Sequence, residues 1–403
     1  MKTRWILAAG SIAASLSVLG LVGACAAEAT DFADGPDAGA SSLPAPEAGG
    51  DDAAPDGSGS PCADCEYFPS ECQADSLCEN GPFAADTAGG PFDVRTQVNC
   101  IRGRSATDIW AAGSGGALAH FDGTSWTRSD IGAPATLRFV WLREGQEAAF
   151  GELHQLYLRG FETTTDAGTS PDRWTAQSVP RPPDYGVGGP FDSDPRQFES
   201  AWAPPGSEWL WAVTRTSYSP QGLWGLHLSG SGMVELRAVE TGTCCGAMTG
   251  IYGVSADDLW AVGHSGTAVR VFAAESDAPK VTVFNSQTWN ALYAVWVTSE
   301  SEAWAVGAAG TIRHYRGDPL LWDVVRDVPT TENLNAVWGT SSNDVWAVGD
   351  DAVVLHYDGT AWTRVKIAGL GARRPNLRTV WMAAPSHVWV AGDGVVLSLG
   401  GQP

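Results

Sequence analysis

Eight cysteines and seven histidines are the residues of this 403-residue chain best suited to holding a metal or forming covalent links. Cys62, Cys65, Cys72 and Cys78 follow one another as C-x2-C-x6-C-x5-C. In a reducing compartment, thiolates at such spacing would suggest zinc. The chain opens, however, with charges at Lys2 and Arg4 and an apolar run from Ile6 to Val22. That run is short for a membrane span and ends in small residues, as in an export signal. In an oxidising compartment these cysteines are expected as disulfides, with Cys100 and the adjacent pair Cys244 and Cys245 as further candidates. The sequence leaves the connectivity open. The histidines also point away from a metal. His120, His314 and His356 each precede an aromatic at one repeated position, and His227 is placed comparably. Equivalent positions of a closed repeat lie too far apart to converge on one ion. No metal and no cofactor is expected. The chain has no HExxH, no GxSxG and no phosphate-binding loop.

Residues 1–24 read as the signal. The sequence Leu21-Val22-Gly23-Ala24-Cys25 resembles the lipobox of bacterial lipoproteins, which implies cleavage before Cys25 and lipid on that residue. Ala26 stands where that class carries Asp for inner-membrane retention, so the resemblance implies an outer-membrane anchor, on the periplasmic face or the cell surface. Residues 25–60 are rich in Ala, Gly, Pro, Asp and Ser, have little to bury, and are expected to be a disordered tether. Between Ala26 and Val94 there are 15 acids and no Lys or Arg, a large share of the net charge of −22. Only three lysines occur in the chain, so nucleic acid is not an expected partner. Contact with a membrane is expected through the lipid alone. Residues 61–91 form a Cys-rich entry segment.

The elements that must carry any site are short strands. From Asn333 to Ile367, four runs rich in Val, Trp and Tyr are divided by Gly339 to Asp344, by Gly349-Asp350-Asp351 and by Asp358-Gly359. β-branched and aromatic alternation reads as strand, and Asp-Gly between two such runs as a hairpin. The paired signature "VW … VWAVG" recurs seven times, beginning at Ile101, Val140, Ala201, Ile251, Val295, Val337 and Val380. A period near 40–45 residues with four strands per unit predicts an all-β, seven-bladed β-propeller of four-stranded antiparallel blades over residues 92–403. The seventh copy lacks its fourth strand, so an N-terminal strand should close the ring; the alternating run 92–98 is expected to supply it. Most of the 19 Trp recur in phase and are read as packing residues. Arg102 and Tyr252 interrupt one Trp column and mark a polar point near the axis.

The phrase "DVWAVG … LHYDGT-W" is similar to Trp-rich propeller repeats of bacterial lipoproteins. More distantly it resembles BNR/Asp-box repeats and the propeller of a photosystem II assembly factor. The resemblance is specific for fold, since such propellers serve as binding scaffolds, assembly factors and glycosidases alike. The expected function is a binding or assembly scaffold for an envelope protein or polysaccharide, with a sialidase-like carbohydrate-active enzyme as the alternative. Residues 164–170 resemble an Asp box, a hairpin device that does not catalyse, and no set of Arg, Tyr and carboxylates can be assigned as a glycosidase centre. No catalytic residue is therefore named. Two swollen loops, 180–196 and 214–222, should share one face and are the expected recognition surface, with Tyr185, Asp192, Asp194, Arg196, Arg215 and Tyr218 as contact candidates.

Overall fold

In the computed structural model, residues 64–162, 169–180, 198–214, 222–239, 247–276 and 278–401 are described. Seven sheets form the seven expected blades. Their innermost strands are Val98–Ser105, Phe139–Arg143, Phe198–Trp202, Met248–Ser255, Leu292–Ser299, Leu334–Ser341 and Leu377–Ala384. Each innermost strand neighbours those of the adjacent blades, so together they surround an axis. The other strands step outward antiparallel, as in the sixth blade: Leu334–Ser341, Asp344–Gly349, Val354–Tyr357 and Trp362–Arg364.

The repeated signature has a packing reason at each position. The Trp of the second strand is buried in the seam with the next blade. Trp304 meets Tyr357 and Trp362 at ring distances of 4.9 and 5.5 Å, and Trp260 meets Tyr315 and Trp322 at 4.8 and 4.9 Å. Trp389 of the last blade meets Phe121 and Trp126 of the first at 5.3 and 5.7 Å, which continues the seam across the ring closure. Aromatic pairs at such distances add about 0.5–1.5 kcal/mol to the area they bury. The glycine that ends "VWAVG" is required by close approach. A side chain on Gly349 would begin 2.0 Å from the Asn333 carbonyl, and one on Gly307 2.0 Å from that of Ala291.

The histidines of the repeat belong to the same seams. His314 lies flat on Trp304 with ring centres 3.7 Å apart, its Nε2 3.1 Å from Glu302. His120 and His356 repeat this on Trp110 and Trp346, with Asp108 and Asp344 as partners at 2.8 and 2.9 Å. Arg270 takes the place of the histidine in the fourth blade, held by Asp258 at 2.7 Å. His227 differs from the expected equivalence. It pairs with Trp209, two residues before the repeat-phase Trp211, which lies opposite Gly225.

Closure is by an N-terminal strand, but residues 92–98 do not supply it. Ser76–Glu79 pairs antiparallel with Val395–Leu399, Leu77 opposite Leu399. Lys366–Ile367 then lies parallel to Ser76–Leu77 and makes a fifth strand. The blade thus draws on the segment read from sequence as a separate Cys-rich entry. Residues 92–98 fail as an edge because they bend: the Thr96 amide donates to the Asp93 carbonyl, Phe92 packs edge-on against Phe83, and Val98 already opens the first innermost strand. A disulfide from Cys72 ties into the closing strand at Cys78. Cys65 is also disulfide-bonded. Cys100 is a free, buried thiol, so its expected disulfide does not form; burial pushes its pKa up. Cys25, Cys62, Cys244 and Cys245 lie outside the described residues.

Candidate functional site

The innermost strands of all seven blades line a central channel of about 740 Å³. Two rings of side chains give it its chemistry, and both follow from how the strands are built.

The outer ring comes from bulges. In six blades the pairing of first and second strands skips one residue near the start of the first: Asn99, Glu199, Thr249, Tyr293, Asn335 and Arg378. A bulged residue leaves the ladder and has its side chain re-aimed; all six border the channel. Three of them latch adjacent blades by donating to backbone carbonyls: Asn99 to Leu137 at 2.9 Å, Thr249 to Leu292 at 2.5 Å and Asn335 to Leu377 at 2.9 Å. Arg378 is held by Asp393 at 2.7 Å and stays about one-third exposed. This ring went unnoticed in the sequence, although a polar residue wedged into Leu-Asn-Ala-Val and Leu-Arg-Thr-Val breaks strand alternation and was a usable signal.

The inner ring is the column Arg102, Trp141, Trp202, Tyr252, Trp296, Trp338 and Trp381. Four members are buried, at 4–9 % exposure, whereas Arg102, Tyr252 and Trp338 remain partly open. The next blade decides which. Trp381, Trp202 and Trp296 lie against Gly103, Gly253 and Gly339, where an added Cβ would stand 2.5–2.6 Å from the indole. For Trp141 the corresponding neighbour is Ala203, also small; beside Arg102, Tyr252 and Trp338 it is Leu142, Val297 or Met382, all bulkier. Those seams are filled, and the three side chains gather on the axis. The Arg102 guanidinium lies over Trp338 at 4.7 Å and Phe139 at 5.8 Å, and Tyr252 meets Trp338 edge-on at 5.5 Å. Arg102 and Tyr252, singled out in the sequence, are thus brought together. Trp338 joins them unannounced, because its own residue type obeys the repeat.

Burial sets the electrostatics at this constriction. Burial pushes the Tyr252 phenol up, while the Arg102 charge and the Trp202 and Trp296 indoles oppose that only in part. A sialidase-like nucleophile would need the reverse, with a carboxylate beside it. Among the described residues no carboxylate contributes to the Tyr252 shift. Among the described residues no group of three or more His, Cys, Asp or Glu is placed to hold a metal ion. A guanidinium over an indole face is worth about 0.5–1 kcal/mol exposed and about 2 kcal/mol when desolvated.

The six contact candidates Tyr185, Asp192, Asp194, Arg196, Arg215 and Tyr218 lie outside the described residues, as does Asp166 of the Asp-box-like segment. Their loops leave the third blade at Phe198 and Thr214, which are paired with each other, and so join the end of the blade where bulged Glu199 stands.

No family model matches the chain, and no curated protein matches it. Solved structures do. YCF48 from Cyanidioschyzon merolae superposes with a TM-score of 0.55 at 13% identity, covering 76% of this chain and 96% of that one. A structure of YCF48 bound to D1 peptide gives 0.54 at 15% identity, covering 81% and 97%. The WD40 propeller domain of Doa1 gives 0.55 at 10% identity, covering 79% and 96%. At these identities the likeness is one of fold, and the fold is the seven-bladed β-propeller.

Proposed function

We propose that this chain is a non-catalytic binding scaffold of the cell envelope that takes a protein or peptide segment at its channel. One observation carries the reading: an aromatic-walled channel with a cation on its axis and, among the described residues, no carboxylate acting on Tyr252 to activate it. Propeller neighbours support a protein ligand, one of them solved with a bound peptide. Export and lipid anchoring at Cys25 are part of the proposal, and the Cys72–Cys78 disulfide supports an oxidising compartment. A polysaccharide is the second reading, favoured by the stacking surface that Trp338 and Tyr252 offer.

The test is capture from envelope extract by the full chain, beside a variant with the channel filled by Ala336→Trp. The same pair is run on a glycan array and on chromogenic glycosides. The proposal expects one protein recovered in stoichiometric amount by the native chain and lost with the plug. Capture that survives the plug contradicts the channel as the site, and glycoside turnover contradicts the non-catalytic reading.

A further inference from the structure

The channel holds a charge that no described residue neutralises. Three other arginines of its wall have carboxylate partners: Arg104 with Asp108 at 2.7 Å and Glu147 at 2.5 Å, Arg143 with Glu208 at 3.4 Å, and Arg378 with Asp393 at 2.7 Å. Arg102 has none among the described residues. Its Nη1 is used internally, donating to the Ile101 carbonyl at 2.7 Å and lying 3.4 Å from Thr379 Oγ1. Its Nε and Nη2 have no acceptor among the described residues. These two N–H groups form one side of the guanidinium fork, the side that matches the two oxygens of a carboxylate.

The surroundings fix that fork. Trp338 and Phe139 lie against the guanidinium, and the bonds from Nη1 to Ile101 and Thr379 limit its rotation. Tyr252 meets Trp338 edge-on at 5.5 Å, so rings gather beside the guanidinium, and among the described residues no carboxylate pairs with it. A cation with fixed donors, aromatic walls and a cavity within the usual range for small ligands describes a site for an anion with a flat apolar body. We infer that Arg102 receives a carboxylate inside the channel, with its attached aromatic or apolar group stacked against Trp338 and Tyr252.

The same chemistry can come from a free aromatic acid or from the carboxylate end of a polypeptide. Titration calorimetry of the full chain with benzoate and with benzamide addresses the first source. The acetylated tripeptide Gly-Gly-Phe, as free acid and as amide, addresses the second. Saturable binding of benzoate or of the acid peptide, at least tenfold tighter than its amide, is expected; the member that binds identifies the source. Arg102→Met, checked by near-ultraviolet circular dichroism, should weaken that binding at least tenfold, and Arg102→Lys should restore part of it. Equal binding of acid and amide, no binding of either acid, or a folded Arg102→Met variant that binds as before would overturn the site. The acid–amide comparison uses the native chain, so it decides the matter even if Arg102→Met does not fold. Protein capture and acid binding fail independently: a partner seated on the channel mouth alone leaves the first positive and the second negative.

Discussion

Gly339→Ala tests the rule that decides which aromatic stays in the seam. A Cβ at this position would stand 2.6 Å from Trp296 Cη2 and 2.6 Å from the Asp344 carbonyl oxygen. The indole can slide, but the carbonyl belongs to the adjacent strand, at the Ser341–Asp344 pairing of the same blade, and cannot yield without disturbing that ladder. Overpacking of this kind costs about 1–3 kcal/mol. The substitution also restricts the unfolded chain, which returns roughly 0.4–1 kcal/mol. A net loss of about 1–2 kcal/mol is therefore expected in urea denaturation followed by far-ultraviolet circular dichroism. Trp296, 4 % exposed in its seam, should move toward the channel and become more accessible to acrylamide quenching. Gly230→Ala is the control: its Cβ would meet nothing nearer than Glu208 Oε1 at 4.0 Å, and it should stay within about 0.5 kcal/mol. Equal stability of the two variants, or an unchanged quenching profile for Gly339→Ala, would refute the account of the seam.

Other consequences are as specific. Deleting residues through Glu79 should leave Val395–Leu399 as an unpaired edge and produce aggregation on light scattering, whereas a chain beginning at Asp64 should stay monodisperse. Reducing Cys72–Cys78 should lower stability by about 2 kcal/mol, given the short loop it closes, and speed proteolysis near Ser76. Acid should destabilise in two stages. Burial holds His314 below the ordinary histidine value of about 6.5 despite Glu302. The unfolded chain then binds more protons, and stability falls as pH drops through that value. Burial alone would raise Asp108 and Glu302, but hydrogen bonds from Arg104 and His120, and from Ser342, His314 and Thr298, outweigh it and hold both low. Their contribution is present above about pH 4 and lost below it, so melting temperature should decline from pH 7 to 5 and again below 4. His314→Gln should remove the upper stage only.

The blades were legible because each repeats its own reasons. Trp304 or Trp346 needs only the next copy of the signature to be recognised as a seam residue, and sequence supplies that copy. The closing strand had no such support. Ser-Leu-Cys-Glu carries no signature, and its partner Val395–Leu399 lies more than 300 residues away. The alternation at 92–98 looked more like a strand but was set by a turn at Asp93 and a buried Phe92. The site was half legible for a related reason. Arg102 and Tyr252 stand out by type, whereas Trp338 is left partly open because Met382, one blade on, is bulky. Reading each column against the following blade, and not only down its own, would have found all three. His227 misled differently: it stands in the third strand of its unit as the others do, but it lies opposite Trp209, two residues before the repeat-phase Trp211.

The most direct measurement is site-specific photo-crosslinking of the full chain in envelope extract. A photoreactive phenylalanine replaces Tyr293 at the channel mouth in one sample and exposed Thr363 on the outer strand of the sixth blade in another. The account predicts one crosslinked protein partner from position 293, competed by unlabelled native chain, and none from 363. The same partner crosslinked equally from both positions, or from 363 alone, would contradict a scaffold that binds at its channel.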